Sequence, residues 1–115
     1  MVSAMIAFRA ISTFQTRRMF DAFVYILASE RNGTLYVGVT SNLPKRIHEH
    51  RTDVLDGFTS RHNVKMLVYY EAHDSIQGAI WREKTLKKWR RSWKLQLIED
   101  NNPQWRDLFD DIAIP

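Results

Sequence analysis

The sequence predicts a small α/β domain (α+β in the finer classification), in which a β-hairpin opens a three-stranded antiparallel or mixed sheet. Two runs of β-forming residues, 23–27 and 34–39, flank Asn32 and Gly33, which tolerate the backbone angles of a hairpin turn. A third run covers residues 65–71. Apolar residues at helical spacing fill the intervals, so three or more helices should flank the sheet.

The second strand carries a tyrosine and a glycine on one face. Tyr36 and Gly38 are two residues apart, and side chains two apart in a strand point the same way. Gly38 is therefore expected to let a ligand or a neighbouring backbone approach closely beside Tyr36.

A first helix is predicted after Asn42, which can cap it, with Pro44 in the first turn, where a missing N–H costs nothing. The apolar stripe of this helix passes through His50, and Arg46 lies one turn earlier on nearly the same face. A cation and an imidazole should thus point towards the sheet. Residues 53–63 have the composition of a loop.

A long helix is expected from about Asp74, with one carboxylate on its apolar side. Its predicted inward stripe consists of Ile76, Ala79, Ile80, Glu83 and Leu86. A buried carboxylate is costly unless it meets a metal, an arginine or hydrogen-bond donors. Glu83 is therefore either a functional carboxylate or the partner of Arg46 or Lys87 in an ion pair. A shorter helix follows and ends at Asn102, before Pro103.

Length and composition limit the class of protein. The chain has 115 residues, enough for one modest domain, and no cysteine, which excludes disulfide scaffolds, thiolate zinc sites and cysteine nucleophiles. It has no apolar run long enough to span a membrane, so we expect a cytoplasmic protein without membrane partners. A net charge of +4 and a pI of about 9.6 favour an anionic partner.

Charge is unevenly distributed along the chain. Residues 81–94 hold seven basic residues and a single acid, and residues 99–111 reverse the balance. The basic run indicates either an anion-binding face or an ordinary solvated helix face. Residues 1–20 contain no acid and are expected to be a poorly ordered basic extension, or an amphipathic targeting peptide, before a domain over residues 21–112.

One polar set recurs inside segments that otherwise belong to the core: Tyr25, Tyr36, Arg46, His50 and Glu83. Hydrolysis of a phosphodiester needs a cation near the phosphate, a metal-binding carboxylate, and hydroxyl or imidazole groups that handle protons. Together these five residues supply those groups. The other histidines (His48, His62 and His73) lie in polar settings and are assigned no role.

Residues 23–25 (Phe-Val-Tyr) and 36–38 (Tyr-Val-Gly) resemble the two motifs of the GIY-YIG nuclease domain, with Phe23 in place of a glycine and Val37 in place of an isoleucine. Residues 32–41 and 82–89 are similar to its small single-domain bacterial branch, the YhbQ-like or UPF0213-like proteins, and the whole also resembles the nuclease domain of the excinuclease C subunit. The resemblance covers roughly residues 22–112.

The resemblance implies a metal-dependent DNA endonuclease with little sequence specificity, in repair, recombination or DNA uptake. It implies that Glu83 holds Mg²⁺ or Mn²⁺ with waters, and that Arg46 stabilises the charge of the transition state. Tyr36, aided by Tyr25 or His50, would orient or deprotonate the attacking water. The choice between Tyr36 and His50 as general base stays open, as do the strandedness of the substrate, DNA versus RNA, and the oligomeric state.

Two other functions are compatible with the sequence. One is a non-catalytic nucleic-acid-binding module of the same fold. In either case the predicted contacts to nucleic acid are Arg82, Lys87, Arg90 and Arg91. The other is a protein-binding domain that uses an exposed patch of Trp81, Trp89 and Trp93, although tryptophans at this spacing are expected mainly in the core. Asn102 either belongs to the site or only ends its helix.

Overall fold

The computed structural model describes residues 20–53 and 57–112. Three strands, β1 (Ala22–Ala28), β2 (Leu35–Thr40) and β3 (Met66–His73), form one sheet with β1 in the centre. Both pairings are antiparallel, which confirms the predicted fold class and selects the antiparallel form of the sheet. Residues 1–19, most of the predicted basic extension, lie outside the described residues.

The predicted hairpin connects β1 to β2. Asn32 has a φ of 58°, the left-handed conformation that asparagine tolerates. Gly33 is needed for space, because a Cβ there would lie 2.4 Å from the Ser29 hydroxyl oxygen. The same hydroxyl accepts a hydrogen bond from the Thr34 N–H and closes the turn.

Five helices surround the sheet in the described part of the chain: α1 (Leu43–Arg51), α2 (Phe58–Arg61), α3 (Ile76–Lys88), α4 (Arg91–Asn101) and α5 (Phe109–Ile112). Asn42 caps α1, as predicted, by accepting a bond from the Lys45 N–H. The prediction of a continuous loop over residues 53–63 is wrong, because α2 lies within it. A helix of one turn is too short to show a period in the sequence.

Both faces of the sheet are covered, and β1 is buried throughout. One face packs against α3 and α4 through residues such as Val24, Ile26 and Leu86. The opposite face, which carries Tyr25 and Leu27, packs against α1 and α5. The tyrosine-bearing face is therefore covered by the helix that supplies Arg46 and His50.

The predicted inward stripe of α3 is only partly correct. Ala79, Glu83 and Leu86 are buried, whereas Ile76 and Ile80 are exposed. The helix meets the sheet along a narrow line, and the two isoleucines fall beside that line. None of the helices in residues 20–53 and 57–112 is long and apolar enough to cross a membrane.

Candidate active site

Tyr25 lies at the centre of the sheet with its ring across the neighbouring strand. It is fully buried, and its backbone pairs with Gly38 on β2 and Tyr70 on β3. A Cβ at position 38 would come within 2.4 Å of the Tyr25 Cζ and hydroxyl oxygen. The close approach predicted at Gly38 is thus made by the Tyr25 side chain, and not by a backbone.

His50 links Tyr25 to the short helix α2. Its Nε2 lies 3.0 Å from the Tyr25 hydroxyl, and its Nδ1 lies 3.0 Å from the Thr59 hydroxyl. Burial, assisted by the positive charge of Arg46, lowers the pKa of His50 below its ordinary value. The imidazole is therefore neutral at neutral pH, with one ring nitrogen donating and the other accepting.

Thr59 is a member of this site that sequence reasoning missed. It is buried on α2, inside the segment predicted to be a loop. A buried histidine needs two hydrogen-bond partners, and that was the only available signal. This requirement does not identify which polar residue beyond α1 supplies the second hydrogen bond to His50.

Tyr36 is the tyrosine of the site that reaches solvent. Its ring centroid is 6.3 Å from that of Tyr25 and 5.5 Å from that of His50, and its side chain is partly exposed. Within the described residues, no hydrogen-bond partner holds its hydroxyl. Tyr36 can therefore bind water or a ligand with that group.

Arg46 stands beside the tyrosines with much of its charge accessible. Its side chain is 40% exposed, and its Nε lies 3.3 Å from the Glu49 carboxylate, which also binds Lys45 at 3.2 Å. The hydrogen bond from Lys45, followed by the charges of Lys45 and Arg46, lowers the pKa of Glu49. Glu49 thus holds the two cations at the mouth of a polar cleft that they help to line.

Glu83 lies on α3, on the other side of the sheet from α1. Its carboxylate binds the Lys87 ammonium at 2.5 Å, one of the two ion pairs considered from the sequence, while Arg46 binds Glu49 instead. No group of three or more His, Asp or Glu side chains is arranged to hold a metal in the part of the chain that the structure describes. Any cation on Glu83 would thus have at most one further ligand of these types among the described residues, and otherwise water or substrate oxygens.

The pKa of Tyr25 responds to the charges of three other residues of the predicted polar set, Tyr36, Arg46 and Glu83. Burial is the largest cause of a pKa for Tyr25 well above the usual range, and the charges of Tyr36 and Glu83 raise it further. The nearby Arg46 guanidinium opposes this increase. The structure therefore places Tyr36, Arg46 and His50 around one protonated tyrosine, whereas Glu83 is connected to that tyrosine only through the electrostatic effect of its charge.

The family follows from a match over residues 21–96 to the family described as the GIY-YIG catalytic domain. The chain belongs to the GIY-YIG family. Tyr25 and Tyr36 lie in the two segments whose resemblance to the motifs of this family was noted in the sequence, and that resemblance is confirmed. A GIY-YIG catalytic domain supports a nuclease-type function and a nucleic-acid substrate.

Relatives of known sequence place the chain in the small branch of the GIY-YIG family. A UPF0213 protein of Syntrophus aciditrophicus (strain SB) is 40% identical over 80 residues, 69% of this chain and 91% of the relative. The UPF0213 protein CPE1444 of Clostridium perfringens is 38% identical over 80 residues, 70% of this chain and 85% of the relative. The solution NMR structure of the UPF0213 protein BH0048 from Bacillus halodurans shares 25% identity, covering 81% of this chain and 98% of that chain, with a TM-score of 0.48.

The four basic residues predicted to contact nucleic acid are not equivalent in this GIY-YIG domain. Arg82 is largely buried and binds Glu71 through two nitrogens, at 2.9 and 3.2 Å. Arg91 donates to the Asn32 and Gly33 carbonyls and so holds the hairpin turn. Lys87 and Arg90 keep exposed ammonium and guanidinium groups, Lys87 against Glu83 and Arg90 over an aromatic ring.

Asn102 and the tryptophans lie apart from the tyrosines of the GIY-YIG motifs. The Asn102 amide donates to the Val68 and Arg106 carbonyls, and its oxygen accepts from the Arg106 N–H, so this buried residue joins the end of α4 to β3. Trp81 and Trp93 are 70% and 50% exposed, which corrects the expectation that they lie in the core.

Proposed function

We propose that this chain is a divalent-metal-dependent endonuclease that hydrolyses phosphodiester bonds in DNA with little sequence specificity. The observation that carries the proposal is the buried Tyr25–His50–Thr59 hydrogen-bond chain beside an accessible Tyr36 and an accessible Arg46. The family supports nuclease-type chemistry in general, and this arrangement supports the assignment of steps to residues.

Arg46 is the group suited to bind the reacting phosphate. Its guanidinium pairs with the Glu49 carboxylate, remains 40% exposed, and lies close enough to Tyr25 to lower the pKa of that tyrosine through its charge and a hydrogen bond. A guanidinium positioned where negative charge develops stabilises the transition state more than the bound substrate. Arg46 would thus act on the rate of cleavage more than on affinity.

We assign the orientation of the attacking water to Tyr36 and the acceptance of its proton to His50. Both ring nitrogens of His50 are engaged inside the protein, so His50 acts through the Tyr25 hydroxyl and not directly on water. Tyr36, with its accessible hydroxyl, would orient the attacking water. For this proton to reach the neutral imidazole of His50, the bound substrate would have to bring the water to the Tyr25 hydroxyl. That hydroxyl would take up the proton from water and give its own proton to Nε2, so that the imidazole becomes an imidazolium.

Glu83 fits a divalent cation, because its carboxylate already holds a cationic group, the Lys87 ammonium. Magnesium is commonly bound by one or two carboxylates, with waters and substrate phosphate oxygens completing its shell. When bound there, such an ion would supply charge stabilisation at the phosphate and the leaving oxygen. Lys87 would have to move from Glu83 to make room.

The same ion pair favours a second candidate, a module that binds nucleic acid without cutting it. A carboxylate neutralised by Lys87 at 2.5 Å does not need a metal. In this alternative the exposed cations grip the phosphates, and the tyrosine–histidine chain only stabilises the fold.

The test is incubation of the purified protein with labelled single-stranded and duplex DNA in Mg²⁺, in Mn²⁺ and in EDTA. Glu83→Ala is the variant, and Asp100→Ala, an exposed acid on α4, is the matched control. We expect metal-dependent cleavage by the wild type and by the control. Glu83→Ala should lose activity by at least about 10²-fold with an unchanged or slightly higher unfolding midpoint. Binding without cleavage in every metal would favour the second candidate.

A further inference from the structure

An exposed aromatic ring extends the surface of Tyr36. Phe58, the first residue of α2, is 41% exposed, and its ring lies 6.4 Å from that of Tyr36 at an interplanar angle of 25°. The exposed His62 ring is 4.4 Å from Phe58 at the end of the same short helix. Single exposed apolar side chains are common on protein surfaces. Phe58 differs from them because its ring continues the surface of Tyr36, the accessible tyrosine of the site.

We propose that Phe58 is a stacking platform for an unpaired nucleobase next to the scissile phosphate, which makes single-stranded DNA the preferred substrate. The inference rests on the proposed function, since it names the substrate of that site. Aromatic side chains bind single strands because every base has a π face, and the interaction tolerates any sequence. In a duplex both faces of a base are covered by its neighbours, so the ring would have no partner.

The charges around the ring fit a strand that passes over it. Arg61 is exposed on the same helix as Phe58, and Lys45 and Arg46 lie on α1 at the mouth of the polar cleft. Single-strand binding sites combine such cations, which contact the phosphates, with rings that contact the bases. A base on Phe58 would place its neighbouring phosphate beside Tyr36, since the two rings are stacked on each other.

A second exposed aromatic side chain provides a matched control. Trp93 on α4 is half exposed, contacts the Trp89 ring edge-on at 5.8 Å, and is covered by Arg90. It has no ring contact to any member of the site in the described residues. Loss of Trp93 therefore tests whether removal of any exposed aromatic weakens binding.

The experiment is fluorescence anisotropy with a labelled oligothymidylate and with a duplex, in EDTA so that cleavage does not interfere. Phe58→Ala should weaken single-strand binding roughly tenfold, the effect of losing one stacked base, and leave duplex binding unchanged. Phe58→Trp should bind as well as the wild type, and Trp93→Ala should have no effect. In the wild type, an abasic nucleotide at one position of the strand should cost the same factor, and Phe58→Ala should be insensitive to it.

The inference would be overturned if Phe58→Ala or Phe58→Leu bound single strands as tightly as the wild type does. It would also be overturned if no position of the abasic series weakened binding, or if the wild type bound duplex and single strand with equal affinity. The abasic series uses the wild-type protein, so the test survives a variant that fails to fold. Stacking without cleavage in Mg²⁺ would refute the proposed nuclease activity and leave the platform intact. Metal-dependent cleavage that is unchanged by Phe58→Ala would support the proposed nuclease activity and refute the stacking platform.

Discussion

Two buried polar clusters lie on opposite faces of the sheet and use nearly the same residue types. The Tyr25 cluster consists of Tyr25, His50 and Thr59, with Arg46 beside it. The Glu71 cluster consists of Tyr69, Glu71, His73 and Arg82. Each contains a tyrosine, a histidine and an arginine, yet the charges are used in different ways.

The Glu71 cluster is closed on itself. Glu71 accepts from the Tyr69 hydroxyl at 2.5 Å, pairs with the His73 Nε2 at 2.7 Å and binds the Arg82 fork. Burial alone would raise the pKa of Glu71, but the hydrogen bonds from Arg82 and Tyr69 hold it below its usual range. Arg82 also lies over the Trp89 ring. Its charge is neutralised within the fold, so this cluster is structural.

The Tyr25 cluster contains no carboxylate among its hydrogen-bonded members. Tyr25 and His50 are neutral partners, and Arg46 pairs with Glu49 while much of its side chain stays exposed. Residue types alone therefore do not show whether a polar cluster stabilises the fold or takes part in a reaction. A charge that is paired inside the protein stabilises the fold, and one that remains accessible can act on a substrate.

The largest expected effects come from replacing Arg46 or Arg82 by alanine, and they differ between catalytic rate and stability. Arg46→Ala should lower the single-turnover rate by about 10² to 10³, as loss of a charge-stabilising donor does, with little change in DNA affinity or in stability. Arg82→Ala should lower stability and leave the rate per folded molecule unchanged. Single-turnover kinetics, a binding titration and urea unfolding of both variants make the measurement. Equal losses of rate and affinity in Arg46→Ala would make Arg46 a phosphate anchor.

Glu71→Gln should destabilise the protein by about 3 kcal/mol, because it leaves the largely buried Arg82 without its carboxylate. Glu83→Gln should change the free energy of unfolding by less than about 1 kcal/mol, because the Lys87 side chain is half exposed and its ammonium can turn to solvent. Urea titrations at neutral pH measure both. A small effect at Glu71 would show that its cluster can be replaced by uncharged hydrogen bonds.

The salt dependence of binding separates accessible cations from sequestered ones. Alanine at Lys87 and Arg90 together should flatten the slope of log affinity against log salt, by about 0.7 for each phosphate of a single strand that these cations neutralise. Arg82→Ala should leave the slope unchanged, because its guanidinium faces Glu71. Binding titrations over a range of salt concentrations decide the matter. A flattened slope in Arg82→Ala would mean that the Glu71 cluster also touches DNA.

The smallest expected effect is a pH dependence specific to the Tyr25 cluster. The folded state lowers the pKa of His50 by burial, so below the ordinary value of 6.5 the unfolded chain binds a proton that the folded chain does not. The free energy of unfolding should therefore fall as the pH decreases below 6.5. The contribution of Glu71, whose pKa is also lowered, is lost only as the pH falls below its ordinary 4.5.

The measurement is urea unfolding of His50→Asn between neutral pH and about pH 5.5, with His48→Asn, an exposed histidine on the same helix, as the control. The wild type and the control should lose stability over this range, and His50→Asn should lose less. Identical pH profiles in all three proteins would show that His50 does not contribute.

The three strands, the hairpin and the two helices that carry the site residues could be predicted from the sequence. These features depend on local properties: β-forming runs, the left-handed tolerance of Asn32, and the helix cap at Asn42. The five polar residues stood out because each interrupts an apolar pattern. That signal exists before any tertiary contact forms.

The packing of the helices against the sheet was needed to establish which of the possible charge pairs form. Arg82 and Arg46 both lie on predicted helices, but Arg82 faces Glu71 on β3, while Arg46 faces the mouth of a cleft. Thr59 bonds to His50, and Phe58 stacks on Tyr36, because α2 packs against these two residues. These pairings join residues of different helices and strands, and they depend on how the helices lie across the sheet, which no local period specifies.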